Sequence, residues 1–391
     1  MKIVIYWPSF GPYHIARLQA SFDFLSSKGI KLIGLATASS SETYQWETVN
    51  KDTEIELRVA FPNRSYFKIL PGEMRRAIHT ILDEINPNAV AISGYSLRDS
   101  RAAMAWCLSR RRLAILMSES KADDSPRHPI KELFKRYLIS QFDAAICGGT
   151  PHLGYLEQLG MPPERIFQKY DVVDNKYFEL ESALHRADKS LSKGLPGLDD
   201  RRTYFLASSR FIQRKNLPRL FQAYKIYRNR QPDGWRLIVM GSGEEETNLK
   251  RMVSEQAIPD VVFPGFRQIN ELPAYYAHAG AFVHPALHEQ WGLVVNEAMA
   301  CGLPILSAAS VGCAYDLIKE GDNGFKFNPE NVTEMAQAME RIASDSTARD
   351  VMGHRSREII SDWTPQHFAK NLWKAILAGQ NRGNPQKEIF I

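Results

Sequence analysis

Short apolar runs of β character alternate with helical segments along most of the chain, and this alternation constrains the fold more than any other feature. In the first half the runs are "KIVIYW" (2–7), "KLIGLA" (31–36), "AVAIS" (89–93), "LAILMS" (113–118) and "DAAICGG" (143–149). Between them, segments such as "GEMRRAIHTILDEI" repeat apolar residues every three or four positions, as amphipathic helices do. Strands that alternate with helices pair in parallel, and the helices then cover both faces of the sheet.

A second series of the same kind follows a polar segment. Residues 182–202, "SALHRADKSLSKGLPGLDDRR", lack periodicity and are predicted to be a linker. The later β-like runs are "TYFLASS" (203–209), "WRLIVMGSG" (235–243), "VVFPGF" (261–266), "AFVHPA" (281–286) and "PILSAA" (304–309). We therefore predict two Rossmann-like, doubly wound α/β domains, 1–181 and 203–363, with a ligand cleft between the carboxyl ends of their sheets.

Composition narrows the class of protein. With 391 residues, 44% of them hydrophobic, the chain can bury more than one core. Neither a signal-peptide pattern nor an apolar run of roughly 18–20 residues is present, so a cytoplasmic protein is expected. The net charge of +5 is small for this length and argues against a dedicated nucleic-acid binder. The four cysteines form no C-x-x-C pair and are interpreted as core residues.

One region is locally basic. The segment from Arg101 to Ser140 contains nine lysines or arginines and only four acids, and its part "RHPIKELFKRYLI" has a helical pattern. Such a surface can lie against anionic lipid headgroups at the inner face of a membrane. An ordinary solvated helix face explains the same charges, and both interpretations stay open.

Two motifs in the second half suit phosphate binding. "SSRFIQRKN" (208–216) follows a strand and brings Arg210 and Lys215 to a loop-to-helix junction, where backbone N–H groups and the helix dipole also attract a diphosphate. "VMGSGEE" (239–245) places Gly241 and Gly243 between a strand and a helix, where glycine allows a backbone to approach a phosphate or sugar. Each motif alone is also common without any ligand.

A pair of acids follows in "HEQWGLVVNEAMACGLPIL" (288–306). Glu289 is predicted in a loop and Glu297 about two turns into a helix that begins near Gly292. Carboxylates offer several acceptor sites to polyols, so Glu289 is predicted to bind sugar hydroxyls and Glu297 a ribose diol, with the amides of Gly292 and Leu293 facing phosphate or sugar. The alternative is one surface glutamate and one on a helix face.

The order and spacing of these motifs, followed by the glycine loop "SVGCAYDLIKEGDNGF" (310–325), resemble the retaining family-4 glycosyltransferases of the GT-B fold. The resemblance covers roughly 204–328 by motif and the N-terminal half by architecture. It implies that Arg210 and Lys215 hold the donor diphosphate, Glu297 the ribose and Glu289 the transferred sugar.

The resemblance also implies the substrates. The donor would be a nucleotide diphosphate sugar, with a UDP-sugar favoured over a GDP-sugar. The acceptor would be a hydroxyl of a glycan, a lipid-linked sugar or a small molecule, in polysaccharide, glycolipid or other glycoconjugate synthesis. No cofactor is expected, and metal independence is expected because the chain lacks a D-x-D pair.

In the N-terminal half, "WPSFGPYHIAR" (7–17) corresponds to the loop near which acceptor and donor phosphates meet in relatives. Gly11 would allow close approach, and His14 or Arg17 would reach the cleft. A histidine at the start of a helix is also commonly packed or solvated, so catalytic and structural roles for His14 remain alternatives.

Other classes of protein share this architecture. An epimerase or phosphorylase would keep the phosphate site and use no separate acceptor alcohol, and a non-catalytic partner subunit would keep only the fold. The intact set of Arg210, Lys215, Glu289 and Glu297 disfavours the last of these. A nicotinamide dehydrogenase is disfavoured because "WPSFGPYH" lacks the dinucleotide fingerprint.

The C-terminal segment "SREIISDWTPQHFAKNLWKAIL" (356–377) is helical on both sides of Thr364-Pro365. Pro365 must end or kink a helix, and Thr364 can cap the next one. The second helix carries an apolar stripe of Phe368, Leu372, Trp373 and Ile376. The resemblance implies that residues 364–391 cross back to the N-terminal domain, while packing on the C-terminal domain is the alternative.

Overall fold

The computed structural model describes residues 1–40, 46, 54–200 and 202–381. The chain divides into two compact units, one of Met1–Val173 with Trp363–Ile391 and one of Asp174–Asp362. Each unit is built on one sheet whose paired strands run parallel. The α/β class with two Rossmann-like, doubly wound sheets, predicted from the sequence, is confirmed.

The first unit alternates strands with helices. Its elements are β1 (Lys2–Trp7), α1 (Pro12–Ser26), β2 (Lys31–Ser40), β3 (Glu56–Ser65), α2 (Pro71–Ile85), β4 (Ala89–Ser93), α3 (Arg98–Ser109), β5 (Leu113–Ser118), α4 (Pro129–Ile139), β6 (Ala144–Cys147), α5 (Thr150–Gln158) and β7 (Ile166–Phe167). The strand order in the sheet is β3-β2-β1-β4-β5-β6-β7. The central strands β1, β5 and β6 are buried almost throughout because helices cover the sheet, which explains their continuous apolar sequences.

The edges of this sheet differ from the sequence prediction. β3 was not predicted, because its sequence "ELRVAFPNRS" contains charged residues and a proline that are typical of an exposed edge strand. β7 is only two residues long and pairs with β6 at the other edge. Both strands are recognised by their pairing and not by their own apolar pattern.

The second unit repeats the architecture. Its elements are α6 (Asn175–Ala187), β8 (Tyr204–Ser208), α7 (Leu217–Arg230), β9 (Arg236–Met240), α8 (Glu246–Glu255), β10 (Val261–Gly265), α9 (Leu272–His278), β11 (Ala281–His284), α10 (Leu293–Ala300), β12 (Ile305–Ala308), α11 (Ala314–Leu317), β13 (Gly324–Phe327), α12 (Val332–Ser344) and α13 (Ser346–Ile360). The strand order is β10-β9-β8-β11-β12-β13.

The division between the units falls at Val173/Asp174, before the predicted linker at 182–202. Residues of that segment are anchored to the second unit. The Arg236 guanidinium donates to the carbonyls of Gly197 and Asp200, and the Tyr275 hydroxyl donates to that of Pro196. This polar segment thus packs against the second unit through its backbone carbonyls and also through side chains, among them the Ser192 hydroxyl, which lies 3.0 Å from Nε2 of His278.

The last helix, α14 (Pro365–Gln380), belongs to the first unit. It contacts α1 and the strands β5, β6 and β7. Thr364 caps it by accepting a hydrogen bond from the N–H of His367, as the sequence predicts for a helix that restarts at Pro365. Phe368, Leu372 and Ile376 are fully buried, so the apolar stripe packs within this unit.

Each sheet has one point where successive connections run in opposite directions. In the second unit β9 and β10 lie on one side of β8, and β11 to β13 lie on the other. Loops at the carboxyl ends of β8 and β11 therefore diverge and leave a crevice, which is where open α/β sheets bind ligands. In the first unit the corresponding strands are β1 and β4.

Candidate functional site

The loop after β8 carries the predicted cations. It makes a short 3-10 turn over Gln213–Lys215, and Asn216, at a φ of 59°, then leads into α7. Lys215 is mostly buried, with its side chain 11% exposed, whereas Arg210 is half-buried. The Arg210 charge contributes to lowering the pKa of Lys215, so the structure places the two cations in one electrostatic neighbourhood.

The loop after β11 carries Glu289. Its backbone carbonyl accepts a hydrogen bond from the N–H of Gly312 at 3.1 Å, and residues 289 and 311 form an isolated parallel bridge. The carbonyl of Trp291 likewise accepts from the N–H of Cys313. Two neighbouring loops thus support each other and set the direction of the Glu289 side chain.

Glu289 lies at the centre of a charged cluster. Lys215 Nζ donates to Glu289 Oε2, Arg214 approaches Oε1 at 3.8 Å, and Nε2 of His284 lies 3.5 Å from Oε2. The Glu289 side chain is 11% exposed and that of His284 only 2%. Two cations from one loop, Arg214 and Lys215, therefore approach a single largely buried carboxylate, and Arg210 of the same loop acts on Lys215.

Burial and charge have opposite effects on these groups. Burial raises the pKa of Glu289, but Lys215 and then His284 lower it by more, so the pKa of this carboxyl group lies well below its usual range. Burial lowers the pKa of His284, and the Lys215 charge adds to that, while Glu289 opposes it. Burial also lowers the pKa of Lys215 against the attraction of Glu289. At neutral pH the carboxylate is ionised and the imidazole is neutral.

Asn216 joins the two loops. Its Nδ2 donates to the carbonyls of Pro285 at 3.0 Å and Pro329 at 2.8 Å, and the side chain is buried. A backbone bond from the N–H of Leu287 to the carbonyl of Arg214 adds a further tie. These bonds hold the loop of Lys215 against the loop of Glu289, so Asn216 is a positioning residue that the sequence analysis missed.

The N-terminus of α10 lies beside this cluster. Gly292 precedes the helix with φ 102°, a left-handed conformation that favours glycine, and no side chain caps the helix. A Cβ on Gly292 would lie 3.6 Å from Nε2 of His284 and 3.6 Å from Cγ of Glu289. The first N–H groups, including that of Leu293, have no partner within the helix, so they attract an anion.

Glu297 is in a different environment. It lies on α10 with no solvent exposure, and its Oε2 accepts a hydrogen bond from the hydroxyl of Tyr276 at 2.7 Å. Tyr276 is itself fully buried on α9. The ribose contact predicted for Glu297 remains a prediction, and Tyr276 is the partner that such a contact would have to share or replace.

Gly241 and Gly243 pack closely against the backbone of the loop after β8. A Cβ on Gly241 would lie 1.8 Å from the carbonyl oxygen of Ser209, and one on Gly243 would lie 2.5 Å from that of Phe211. The N–H of Phe211 donates to the carbonyl of Ser242 at 2.8 Å. Both glycines are therefore needed for the loop after β9 to pack on the loop after β8, whether or not a phosphate binds.

In the first unit His14 and Gly11 form a helix cap. Nδ1 of His14 accepts a hydrogen bond from the N–H of Gly11 at 3.0 Å at the start of α1. The same arrangement recurs at α5, where Nδ1 of the fully buried His152 accepts from the N–H of Gly149 at 3.1 Å. Gly11 has an extended backbone, φ −141°, and an added Cβ would meet no atom closer than 3.6 Å.

The cap determines what His14 can do. Because Nδ1 accepts, the proton of the neutral ring is on Nε2, which can only donate. Burial, followed by the charge of Arg17, lowers the pKa of His14 to about 3. The imidazole thus suits a neutral hydrogen-bond donor better than a general base. Its catalytic role remains a prediction.

The structure thus brings together Arg210, Lys215, Glu289 and the N-terminus of α10, and it directs Glu297 toward Tyr276. Arg214, Asn216 and His284 were not predicted from the sequence as site residues. His284 is the last residue of β11, and a polar residue at the carboxyl end of a buried strand is the signal that points to a crevice.

In 1–40, 46, 54–200 and 202–381 no helix has both the length and the apolar character needed to cross a bilayer. Within the same residues no three His, Cys, Asp or Glu side chains are grouped as metal ligands.

Known proteins share features with this chain. Residues 189–359 match the family model of Glycosyl transferases group 1. An uncharacterized glycosyltransferase of Haemophilus influenzae is 30% identical over 163 residues, which cover 42% of this chain and 45% of that protein. A GDP-mannose-dependent alpha-(1-6)-phosphatidylinositol monomannoside mannosyltransferase of Mycolicibacterium smegmatis is 30% identical over 186 residues, 46% of each chain. The matched region thus spans less than half the length of these relatives.

The fold is shared over a greater length. The crystal structure of Anabaena HepE in complex with UDP and glucose superposes with a TM-score of 0.73 at 16% identity, covering 97% of this chain and all of that one. The family match includes Arg210, Lys215, Glu289 and Glu297, and the structural likeness shows that the fold is shared along nearly the whole chain.

Proposed function

We propose that this chain is a retaining glycosyltransferase that moves a sugar from a nucleotide diphosphate sugar to an acceptor hydroxyl. The observation that carries the proposal is a cationic loop next to the uncapped N-terminus of α10: Arg214 and Lys215 contact the largely buried Glu289, and Arg210 acts on Lys215. Three cations outnumber one carboxylate, so the cluster has the net positive charge that a diphosphate requires.

In the proposed reaction the sugar's C1–O bond to the diphosphate breaks while a C1–O bond to the acceptor forms on the same face. The acceptor's proton passes to the departing diphosphate oxygen. Lys215, Arg210 and the first amides of α10 stabilise the charge that develops on the diphosphate. Each such preorganised donor typically contributes about 2.7–4 kcal/mol to lowering the barrier.

Glu289 and Glu297 are assigned to hydroxyl groups of the donor. The low pKa of Glu289 supports its role because the ionised carboxylate can only accept hydrogen bonds and therefore suits sugar hydroxyls. Glu297 is assigned to the ribose, exchanging its bond with Tyr276. His14 is assigned to the reaction as a donor through Nε2, and the first unit is assigned to the acceptor.

Within the proposal the donor is a UDP-sugar in preference to a GDP-sugar. HepE was crystallised with UDP, while the mannosyltransferase relative is named as GDP-mannose-dependent. Uracil and guanine nucleotides are therefore both included in the binding experiment below. The proposal also includes metal independence, a role in glycoconjugate synthesis, and a cytoplasmic location with a peripheral membrane contact.

Thermal-shift measurements with UDP, GDP and ADP in excess EDTA test the site. A ligand that binds only the folded state raises the apparent stability by RT ln(1 + [L]/Kd). Lys215→Met should abolish the shift, and Lys250→Met should not, because Lys250 lies on the surface of α8 with Glu246 as its partner. A shift that survives Lys215→Met, or one that needs Mg²⁺, would contradict the proposed site.

Product analysis separates the alternatives. Incubation with nucleotide sugar alone should leave the sugar unchanged, whereas an epimerase would convert it. Addition of an acceptor should give a glycoside whose anomeric configuration, read by NMR, matches that of the donor. Inverted product would rule out retention, and nucleotide binding without any turnover across an acceptor panel would favour a non-catalytic partner subunit.

A further inference from the structure

Helix α4 presents an apolar stripe to solvent. Ile130, Leu133, Phe134 and Tyr137 are 73%, 69%, 52% and 63% exposed. Their spacing of three and four residues places them on one face of the helix. Single exposed apolar residues are ordinary, but four large ones on one short helix form a contiguous patch, which marks an interaction surface.

Charge defines the borders of this stripe. Lys131 and Arg136 are both exposed, and the helical repeat places them on opposite sides of the apolar residues. The helix has one acid, Glu132, which accepts from the hydroxyl of Tyr155 and from Nζ of Lys135, both at 2.8 Å, on the face away from the stripe. The outward face is therefore apolar at its centre and positive on both sides.

We infer that this face of α4 docks on an anionic lipid surface. The apolar side chains would enter the boundary between headgroups and acyl chains, while Lys131 and Arg136 lie at the level of the phosphates. This inference rests on the proposed function, because it assigns a surface to the peripheral membrane contact named there. Vesicle binding tests the surface without a sugar donor or an acceptor, so the two can fail separately.

A second copy of the chain fits this face less well. In a two-fold contact each stripe would meet itself, and the bordering cations of both copies would approach each other. Glu132 is bonded to Tyr155 and Lys135 on the opposite face of the helix, so it cannot neutralise the bordering cations. An anionic bilayer provides both the apolar layer and the opposite charge.

Co-sedimentation with vesicles tests the inference. The full chain should bind phosphatidylcholine vesicles that contain phosphatidylglycerol and should bind pure phosphatidylcholine far more weakly. Leu133→Ser with Phe134→Ser should lower binding at least roughly tenfold, because two large apolar side chains no longer leave water. Lys131→Gln with Arg136→Gln should lower it roughly twenty-five-fold, since each basic residue near an anionic surface contributes about fivefold.

The chain provides a matched control on α6. Leu180 and Leu184 are each 53% exposed and four residues apart, but Glu181 lies between them in sequence. Leu180→Ser with Leu184→Ser should bind vesicles as the unaltered chain does, and all variants should keep the same circular dichroism and UDP-induced thermal shift. Loss of the UDP shift alone would count against the donor site and not against the membrane surface.

Three outcomes would overturn the inference. The unaltered chain could fail to bind anionic vesicles, or the α4 and α6 variants could lose binding equally. Light scattering could also show a dimer that Leu133→Ser with Phe134→Ser dissociates, in which case the stripe is a contact between copies.

Discussion

Lys215 and Glu289 form an ion pair in which each side chain is only 11% exposed. The two residues come from different loops, after β8 and β11, and Asn216 ties those loops together. Because the carboxylate also approaches Arg214, it offsets part of the positive charge of a loop whose cations would otherwise repel each other. The pair therefore has a structural role in addition to any role toward a donor.

A double-mutant cycle separates these two roles. Lys215→Met leaves the carboxylate of Glu289 largely buried, with Arg214 at 3.8 Å as the remaining charged partner beside the neutral His284, so we expect a loss of about 3 kcal/mol of unfolding free energy. Glu289→Gln should also destabilise, and the double variant should recover most of the loss because neither charge remains. Nucleotide affinity should stay low whenever Lys215 is absent. Urea unfolding measures stability, and additive losses in the double variant would contradict the coupling.

The low pKa of Glu289 predicts a pH dependence. Its folded-state pKa lies below the value of about 4.3 expected in the unfolded chain, so the folded state binds fewer protons. This contribution to stability is present above about pH 4.3 and is lost as the pH falls toward the folded-state pKa. Glu289→Gln should therefore lose less stability than the unaltered chain between pH 5 and pH 3 in urea titrations. Parallel curves would show that Glu289 is not held in its ionised form.

His14 should remain neutral throughout the physiological range. Its pKa of about 3 in the folded state lies well below the usual value of about 6.5, so protonation favours the unfolded chain and stability falls as the pH drops through this interval. NMR of the imidazole carbon-bound protons should show no His14 transition between pH 8 and pH 5, with His14→Gln identifying the resonance. A midpoint near 6.5 would show that the ring is free of its cap with Gly11.

Gly241 and Gly11 should respond differently to the same substitution. Gly241→Ala places a Cβ 1.8 Å from a carbonyl oxygen at a φ of 131°, so we expect a loss of about 1–3 kcal/mol and disturbance of the loop of Arg210. Gly11→Ala has room and an ordinary backbone angle, and its unfolding free energy should change by less than about 0.5 kcal/mol. Equal stability of the two variants by urea unfolding would contradict the backbone-packing role of Gly241.

The fold could be predicted because buried parallel strands have continuous apolar sequences. "LAILMS" and "RLIVM" contain the information needed to recognise them as strands. β3, with its charged residues, could not be recognised in this way, since its partner β2 defines it. The first unit ends at Val173, ahead of the boundary at residue 181 that the sequence predicts.

The site was predictable in its charges but not in its contacts. Arg210, Lys215 and Glu289 were identified because cations and acids after strand ends suit a phosphorylated ligand. Periodicity alone could not show that Glu297 is directed toward Tyr276, a residue 21 positions earlier on another helix. Neither could it reveal Asn216 as the residue that joins two loops, because an Asn before a helix is ordinarily interpreted as its cap.

The contribution of α14 can be measured on one side chain. Leu372 is fully buried on this helix, which packs on α1 and on β5, β6 and β7, so Leu372→Ala should cost about 2–5 kcal/mol. Lys374, exposed on the same helix, gives the control Lys374→Ala, which should be nearly neutral. Hydrogen exchange should show that Leu372→Ala lowers the protection of β5 and β6, whereas β8 and β11 keep theirs and the UDP-induced thermal shift persists. Lowered protection in β8 and β11 instead would assign the helix to the stability of the second unit and contradict its place in the first.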